Sequence, residues 1–159
     1  MKYLKIVTNI FFTIFVLIVC FVAALNFFSD PQRNGIFGYR GYTVISGSME
    51  PTLHIGDYII VKDKPYNQVK PKDIISFSQE NILITHRVVS REGDLLKTRG
   101  DNNKISDFVQ VSAENYVGTY QFKLSRFGKL LMWLQDPMIY SIIMAVIALR
   151  IAILLILKK

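Results

Sequence analysis

The segment Ile82-Leu83-Ile84-Thr85-His86-Arg87-Val88-Val89, residues 82–89, decides the fold of this chain. It is enriched in β-branched residues, which is typical of a β-strand. In an alternating strand, His86 shares one face with Ile84 and Val88. Such a histidine is either a satisfied core residue or a neutral imidazole that is available to accept a proton.

Five other short segments have the same composition and are separated by turn residues. They are residues 42–46, 58–62, 73–77, 95–98 and 116–124. The sequence therefore predicts a mainly β domain over residues 29–136, which is long enough for one small domain and too short for two.

Both ends of the chain are apolar. Residues 6–28 carry no charge, and residues 137–157 carry only Arg150. A helix of about 20 apolar residues crosses a hydrocarbon layer of about 30 Å, so we expect transmembrane helices at residues 1–28 and 137–159. The first segment could instead be a cleaved targeting peptide, but the apolar core of such a peptide is normally only about 7–15 residues long.

The charged residues are distributed unevenly. All 12 acidic residues lie between Asp30 and Asp136. The only charged residues in the outer flanks of the apolar segments are lysines: Lys2, Lys5, Lys158 and Lys159. Because basic flanks stay in the cytoplasm, we expect both termini there and the β-rich domain on the extracytoplasmic side of the cell membrane. Much of the net charge of +7 then lies beside membrane lipid, and we expect no nucleic-acid partner.

Cys20 is the only cysteine, which excludes an intrachain disulfide and a thiolate metal cluster. We expect no metal and no other cofactor. Arg150 either extends toward the cytoplasmic surface or has a polar partner within the membrane.

The hexapeptide Ser46-Gly47-Ser48-Met49-Glu50-Pro51 follows the strand-like residues 42–45. A serine on a turn that leaves a strand can be exposed beside free backbone N–H groups, which bind a developing oxyanion. Serine and glycine before proline are also the residues of an ordinary turn. A nucleophilic serine needs a base, and the only histidines are His54 and His86. His54 follows Ser48 so closely that we expect at most a surface or substrate-groove role for it.

Two carboxylates occur in Arg99-Gly100-Asp101-Asn102-Asn103-Lys104-Ile105-Ser106-Asp107. Either Asp101 or Asp107 could hold a catalytic histidine in the correct tautomer. Each could equally cap a turn, and spacing alone does not choose between them.

Taken in order, four motifs resemble those of type I signal peptidases in the endoplasmic-reticulum type branch, which also occurs in archaea and some Gram-positive bacteria. They are Ser46-Gly47-Ser48-Met49-Glu50-Pro51, Gly56-Asp57, Thr85-His86-Arg87-Val88, and Arg99-Gly100-Asp101-Asn102-Asn103 with Asp107. The resemblance covers roughly residues 44–107. The branch assignment rests on His86, because the usual bacterial branch has a lysine base at that place.

The resemblance implies a mainly antiparallel β fold and cleavage after a small-x-small sequence at the membrane surface. It implies that Ser48 is the nucleophile, within a Ser-Met-x-Pro box that includes Met49 and Pro51, and that His86 is the base. Apolar residues near Ser48 and His86, such as Ile84, are then expected to line shallow pockets for small side chains.

The remaining site residues also follow from the resemblance. Asp107 matches the acid that is grouped with serine and histidine, and Asp101 matches a second acid with a supporting role. Ser46 matches the position whose hydroxyl lines the oxyanion hole, together with the Ser48 backbone N–H, in the bacterial branch.

The predicted function is thus a membrane-bound serine endopeptidase that removes signal peptides from exported preproteins. One alternative is a specialised protease that matures a few secreted proteins. Another is a non-catalytic membrane adaptor that binds exported segments. The expected partners are preproteins and membrane lipid, and the sequence leaves open whether the chain docks to other membrane proteins of the secretion machinery.

Overall fold

The computed structural model describes residues 2–28 and 37–157. The lysines predicted to flank the second apolar segment, Lys158 and Lys159, lie outside the described residues, as does Asp30. The described part contains a β-sheet domain with helices on both sides of it in the chain, which confirms the predicted β-rich domain and its flanking helices.

The chain begins with helix α1, Lys2–Phe28, and ends with helices α2, Phe127–Leu134, and α3, Pro137–Leu157. Six strands lie between them. Their bounds are β1 Tyr39–Thr43, β2 Tyr58–Lys62, β3 Ile74–Gln79, β4 Ile82–Glu92, β5 Leu95–Arg99 and β6 Tyr116–Leu124. They form one sheet in the order β1-β2-β6-β3-β4-β5, and every pairing is antiparallel.

Strand β1 lies three residues before its predicted position at residues 42–46. Its pairing with β2 ends at Thr43 opposite Tyr58. Beyond that point the chain closes a small loop, because Val44 N–H donates to Asp57 O and Gly56 N–H donates to Val44 O. The β-branched residues that suggested a strand therefore belong to the segment that leaves the sheet, and Ile45 there is 76% exposed.

Strands β3, β4 and β5 form two tight hairpins. The turn between β3 and β4 is Glu80-Asn81, with φ of 50° and 64°. The turn between β4 and β5 is Gly93-Asp94, with φ of 62° at the glycine. Two-residue loops with positive φ match the twist of the paired strands, so these turns set the register at the start of each hairpin. Between β4 and β5 the register then shifts at a bulge between Val88 and Ser90, which pairs Thr98 with Val88.

Alternating residues bury both faces of the sheet. Ile74 and Ile75 are consecutive in β3, and each belongs to a different core cluster. The first cluster contains Tyr42, Met49, Leu53, Ile59, Val61, Ile74 and Val117. The second contains Val69, Ile75, Phe77, Val88, Leu96 and Val111. The serine turn is thus attached to the first cluster, and strand β4 contributes to the second.

The terminal helices contact each other through Arg150. Its Nη2 donates to Asn9 Oδ1 at 2.7 Å and its Nη1 donates to Thr8 O at 3.2 Å, while the guanidinium lies 4.0 Å from the centre of the Phe12 ring. Of the two interpretations of Arg150, the structure therefore shows the one in which its side chain has a polar partner. The start of α1 lies beside the end of α3.

Among residues 2–28 and 37–157, no helix on its own combines the length and the apolar character needed to cross a membrane. Helices α2 and α3 together have both, with a bend of 59° between them. In α1 the apolar stretch is Thr8–Phe21. The predicted membrane crossing of α1 and α3, and with it the predicted division at residues 28 and 137, stays a prediction.

Candidate active site

Ser48 lies on a turn that is anchored to the core from one side. The turn is closed by hydrogen bonds from Glu50 N–H to Gly47 O and from Leu53 N–H to Met49 O. Met49 and Leu53 are buried, which fixes the turn, whereas the Ser48 side chain stays partly exposed. The hydroxyl is therefore held rigidly and remains accessible to a substrate.

His86 extends from the middle of β4 toward this turn. Its Nε2 lies 3.1 Å from Ser48 Oγ, within hydrogen-bond distance for proton transfer. The ring is 7% exposed and packs edge-on against Phe77, with 6.4 Å between ring centres. The burial of His86 fits the core interpretation, and the position of Nε2 beside the serine hydroxyl is the geometry that the functional interpretation requires.

Asp107 holds the other nitrogen of the imidazole. His86 Nδ1 and Asp107 Oδ2 are 2.7 Å apart, and a neutral ring that accepts a proton at Nε2 donates from Nδ1 to the carboxylate. The same oxygen accepts a hydrogen bond of 2.6 Å from the Thr98 hydroxyl. The structure therefore brings Ser48, His86 and Asp107 into one hydrogen-bonded series.

Asp101 has a different set of partners. Its Oδ1 accepts from Arg87 Nε at 2.8 Å, and its Oδ2 accepts from Arg87 Nη2 at 2.6 Å and from Thr52 Oγ1 at 2.5 Å. These hydrogen bonds from Arg87 hold the pKa of Asp101 below its usual value and raise the pKa of Arg87. Asp101 thus links β4 to the serine turn and does not contact the imidazole.

We expect this ion pair to make the fold sensitive to acid. Because the pKa of Asp101 is depressed in the folded state, its stabilisation is present above the unfolded-state pKa of about 3.9 and is lost as pH falls through the lower, folded-state pKa. The substitution D101N should lower the free energy of unfolding near pH 6 by about 1 kcal/mol, since Arg87 is partly exposed.

Denaturant unfolding of both proteins between pH 6 and pH 3 measures this effect. The difference between wild type and D101N should shrink toward the acid end of that range. A difference that stays constant with pH would contradict the assignment.

The loop that contains Asp101 also holds the backbone of the serine turn. Asn102 N–H donates to Ser48 O at 2.8 Å, and Asn102 Nδ2 donates to Gly47 O at 3.2 Å. A Cβ on Gly100 would lie 2.5 Å from Ser48 O, so only glycine allows this approach. Within the described part of the chain nothing accepts a hydrogen bond from Ser48 N–H, which leaves it available for an oxyanion.

Ser46 is the nearest other hydroxyl to the predicted nucleophile. Ser46 Oγ and Ser48 Oγ are 3.3 Å apart. When Ser48 donates to His86, Ser46 can donate to Ser48 Oγ, so both hydroxyls face the same space. The predicted contribution of Ser46 to an oxyanion hole stays a prediction.

A groove of about 530 Å³ opens beside Ser48 and His86. Its walls are the segment after β1 and the start of β4, and its floor is apolar. The lining includes Val44, Ile45, Met49, Leu53, Leu83 and Ile84. Met49 and Ile84 thus belong to the groove lining, whereas Pro51 is exposed and lies outside it.

His54 and Asp57 form a separate polar cluster with Lys123. Lys123 Nζ donates to Asp57 Oδ2 at 2.8 Å and to Thr52 O at 2.9 Å, so it joins β6 to the end of the serine turn. Burial raises the pKa of Asp57, but the bonds from Lys123 and from the N–H groups of His54 and Arg126 outweigh it, and the resulting pKa lies below the usual value. The His54 side chain is 57% exposed, in keeping with its expected surface role.

Across the two described stretches, no group of three or more histidine, cysteine, aspartate or glutamate side chains could hold a metal ion.

Three polar residues of the site and of the adjoining Lys123 cluster were absent from the sequence prediction: Thr52, Thr98 and Lys123. Thr98 had a detectable signal, because it shares the inward face of β5 with Leu96, where an apolar residue is expected. Lys123 and Thr52 had no such signal, because they lie 71 positions apart in sequence and come into contact only in the folded chain.

Comparison with known proteins gives the family. The chain matches the family described as signal peptidase, peptidase S26, over residues 6–127. It is 36% identical over 125 residues to signal peptidase I W of Bacillus subtilis, which is 74% of this chain and 66% of that protein. It is 37% identical over 71 residues to the signal peptidase complex catalytic subunit SEC11C of Homo sapiens, and 39% identical over 70 residues to the subunit SEC11 of Candida albicans.

The last two matches cover 40% of this chain, and 37% and 42% of those proteins. The chain thus spans just under two thirds of the Bacillus relative and about two fifths of the eukaryotic subunits. Bacterial and eukaryotic relatives are both expected for the endoplasmic-reticulum type branch. The predicted family is confirmed. The chain belongs to the peptidase S26 family of signal peptidases.

Proposed function

We propose that this chain is a membrane-anchored serine endopeptidase that removes signal peptides from exported preproteins. The observation that carries the proposal is the series of hydrogen bonds from Ser48 through His86 to Asp107, at 3.1 Å and 2.7 Å, beside an apolar groove. A nucleophile, a base and an orienting acid in hydrogen-bond contact are the arrangement that acyl transfer requires.

The first half of the reaction forms an ester on Ser48. Its Oγ attacks the carbonyl carbon of the scissile peptide bond while its proton passes to His86 Nε2. The oxyanion accepts a hydrogen bond from Ser48 N–H, with the Ser46 hydroxyl close enough to donate a second. His86 then gives its proton to the amine nitrogen, and the C–N bond breaks.

The second half releases the signal peptide. A water molecule gives a proton to His86 and attacks the ester carbon, and the proton returns to Ser48 as the C–O bond breaks. Asp107 keeps Nδ1 protonated throughout, so Nε2 faces the reacting atoms in both halves. No group other than these side chains and water is needed for the atoms to balance.

The groove suggests the substrate preference. Branched apolar side chains line it beside Ser48, including Val44, Ile45 and Ile84. Such a lining favours small apolar side chains of an extended peptide over large or charged ones. We therefore propose cleavage after a small-x-small sequence.

Purified full-length chain in detergent, incubated with a test preprotein, would test this function. We expect one new amino terminus, mapped by mass spectrometry, directly after a small residue. Cleavage at scattered positions would argue against signal-peptide processing. Binding of the preprotein without cleavage would favour the adaptor alternative.

We further propose that α1 and α3 cross the cell membrane, with both termini in the cytoplasm and the sheet domain outside. The apolar composition of the two helices supports this topology, as does the bond that places Asn9 near the start of α1 beside Arg150 near the end of α3. In cells carrying the C20S, K70C variant, a membrane-impermeant maleimide should label the exposed position 70 from outside. Labelling only after cell lysis would overturn the topology.

The hydrogen bond between Arg150 of α3 and Asn9 of α1 should be measurable as a coupling energy between substitutions at the two positions. R150L and N9L should each lower the free energy of unfolding in detergent. The decrease in the double variant should be smaller than the sum of the two single decreases. Polar bonds between membrane helices couple by about 1 kcal/mol. S141A, which removes a hydroxyl bonded within α3, should combine additively with R150L. Additive effects of R150L and N9L would exclude the pairing.

A further inference from the structure

The carboxylate of Asp107 is held by Thr98, a residue outside the series of serine, histidine and aspartate. The Thr98 hydroxyl donates to Asp107 Oδ2 at 2.6 Å, and its backbone carbonyl accepts from Asp107 N–H at 2.8 Å. One residue of β5 therefore fixes both the main chain and the side chain of Asp107. Thr98 itself is fully buried, whereas the Asp107 side chain is partly exposed.

The rest of the Asp107 environment offers less support. The neighbouring positions Ile105 and Phe108 are 63% and 92% exposed, so this loop has few packing contacts near the carboxylate. Asp107 lies 21 residues after His86 in sequence, so the path of the intervening chain decides whether its carboxylate reaches the imidazole. Strand β5 fixes that path near Asp107, because Thr98 of β5 pairs with Val88 of β4, the strand that carries His86.

The shared oxygen determines the orientation of the imidazole. Asp107 Oδ2 accepts from both His86 Nδ1 and Thr98 Oγ1, so the threonine hydroxyl fixes the position of the oxygen that the ring follows. Without that hydroxyl, the carboxylate keeps its bond to His86 but loses the side-chain bond that ties it to β5. His86 Nε2 would then lose its alignment with Ser48 Oγ.

We propose that Thr98 is a positioning residue for the proposed protease, which sets the orientation of His86 through Asp107. This inference rests on the proposed function where it concerns turnover. Its structural part, that the Thr98 hydroxyl maintains the bond between His86 and Asp107, is independent of any substrate. The tests below therefore include one readout of each kind.

The kinetic test compares T98V, which keeps the shape of the side chain and removes the hydroxyl, with T98S, which keeps the hydroxyl. Misplacement of a catalytic group by about 1 Å costs up to about 100-fold in rate. We expect T98V to lower kcat by roughly ten- to hundred-fold with KM nearly unchanged, and T98S to recover most of the loss. An equal loss in both variants would mean that packing of the methyl group matters instead.

A matched control separates positioning from loss of stability. Thr119 is also a buried threonine in the sheet, and its hydroxyl bonds to the Tyr116 hydroxyl at 2.8 Å, away from the groove. T119V should cost a comparable amount of stability and leave kcat within about two-fold of wild type. If T119V and T98V lowered kcat equally, the role of Thr98 would be structural only.

The spectroscopic test needs no substrate. The chain has only two histidines, so ¹⁵N-histidine labelling resolves both rings, and H54Q assigns the signal of His86. The Nδ1–H proton of His86 should resonate far downfield in wild type and in T98S, and it should move upfield or broaden in T98V. An unchanged signal in T98V would overturn the proposal whatever the activity of the chain. A changed signal in a chain that cleaves no preprotein would refute only the proposed function.

Discussion

Replacing Ser48 by alanine is expected to reduce turnover of a preprotein by about 10⁶, because removal of the nucleophile from other serine hydrolases costs about that much. The loss should appear in kcat, while KM stays within a few-fold, since the groove beside the turn is lined mainly by other side chains. Rates of the purified variant and wild type on the same test preprotein in detergent provide the measurement.

Ser90 offers a matched serine in the same domain. It lies on β4, and its hydroxyl bonds only weakly to Glu92, at 3.4 Å. S90A should retain wild-type turnover. If S48A remained active in a preparation free of other proteases, the proposed nucleophile would be wrong.

Replacing His86 by glutamine should have a comparable effect, about 10⁶ in kcat, because an amide cannot take the serine proton. The rate of purified H86Q on the same test preprotein in detergent measures this effect. A variant that kept the wild-type rate would show that another group is the base.

Lysine at the same position makes a sharper test. The usual bacterial branch has a lysine base there, so H86K asks whether a lysine can replace the histidine base in this chain. In this chain Asp107 faces position 86, and a neighbouring carboxylate favours the charged ammonium, which cannot accept a proton. We therefore expect H86K to be nearly inactive at neutral pH, with any residual rate rising toward alkaline pH. Wild-type activity of H86K would contradict the geometry of the acid and base.

Local patterns in the sequence predicted most of the secondary structure. The bounds of β2 and β6 agree with the predicted segments, and α3 covers the apolar segment 137–157, because β-branched composition, turn residues and the length of an apolar run depend only on neighbours in the chain. The prediction was wrong for β1, where Val44 and Ile45 have strand composition but lie past the last pairing with β2. Composition does not show where a partner strand ends.

The motifs by themselves determined the family and nominated Ser48 and His86, since each motif is a continuous stretch of a few residues. Only the tertiary structure decided that Asp107, and not Asp101, bonds to the imidazole, that Thr98 holds Asp107, and that Arg150 pairs with Asn9. The physical reason is distance along the chain. These bonds join side chains 9 to 141 residues apart, and they depend on strand register and loop path, which no single segment contains.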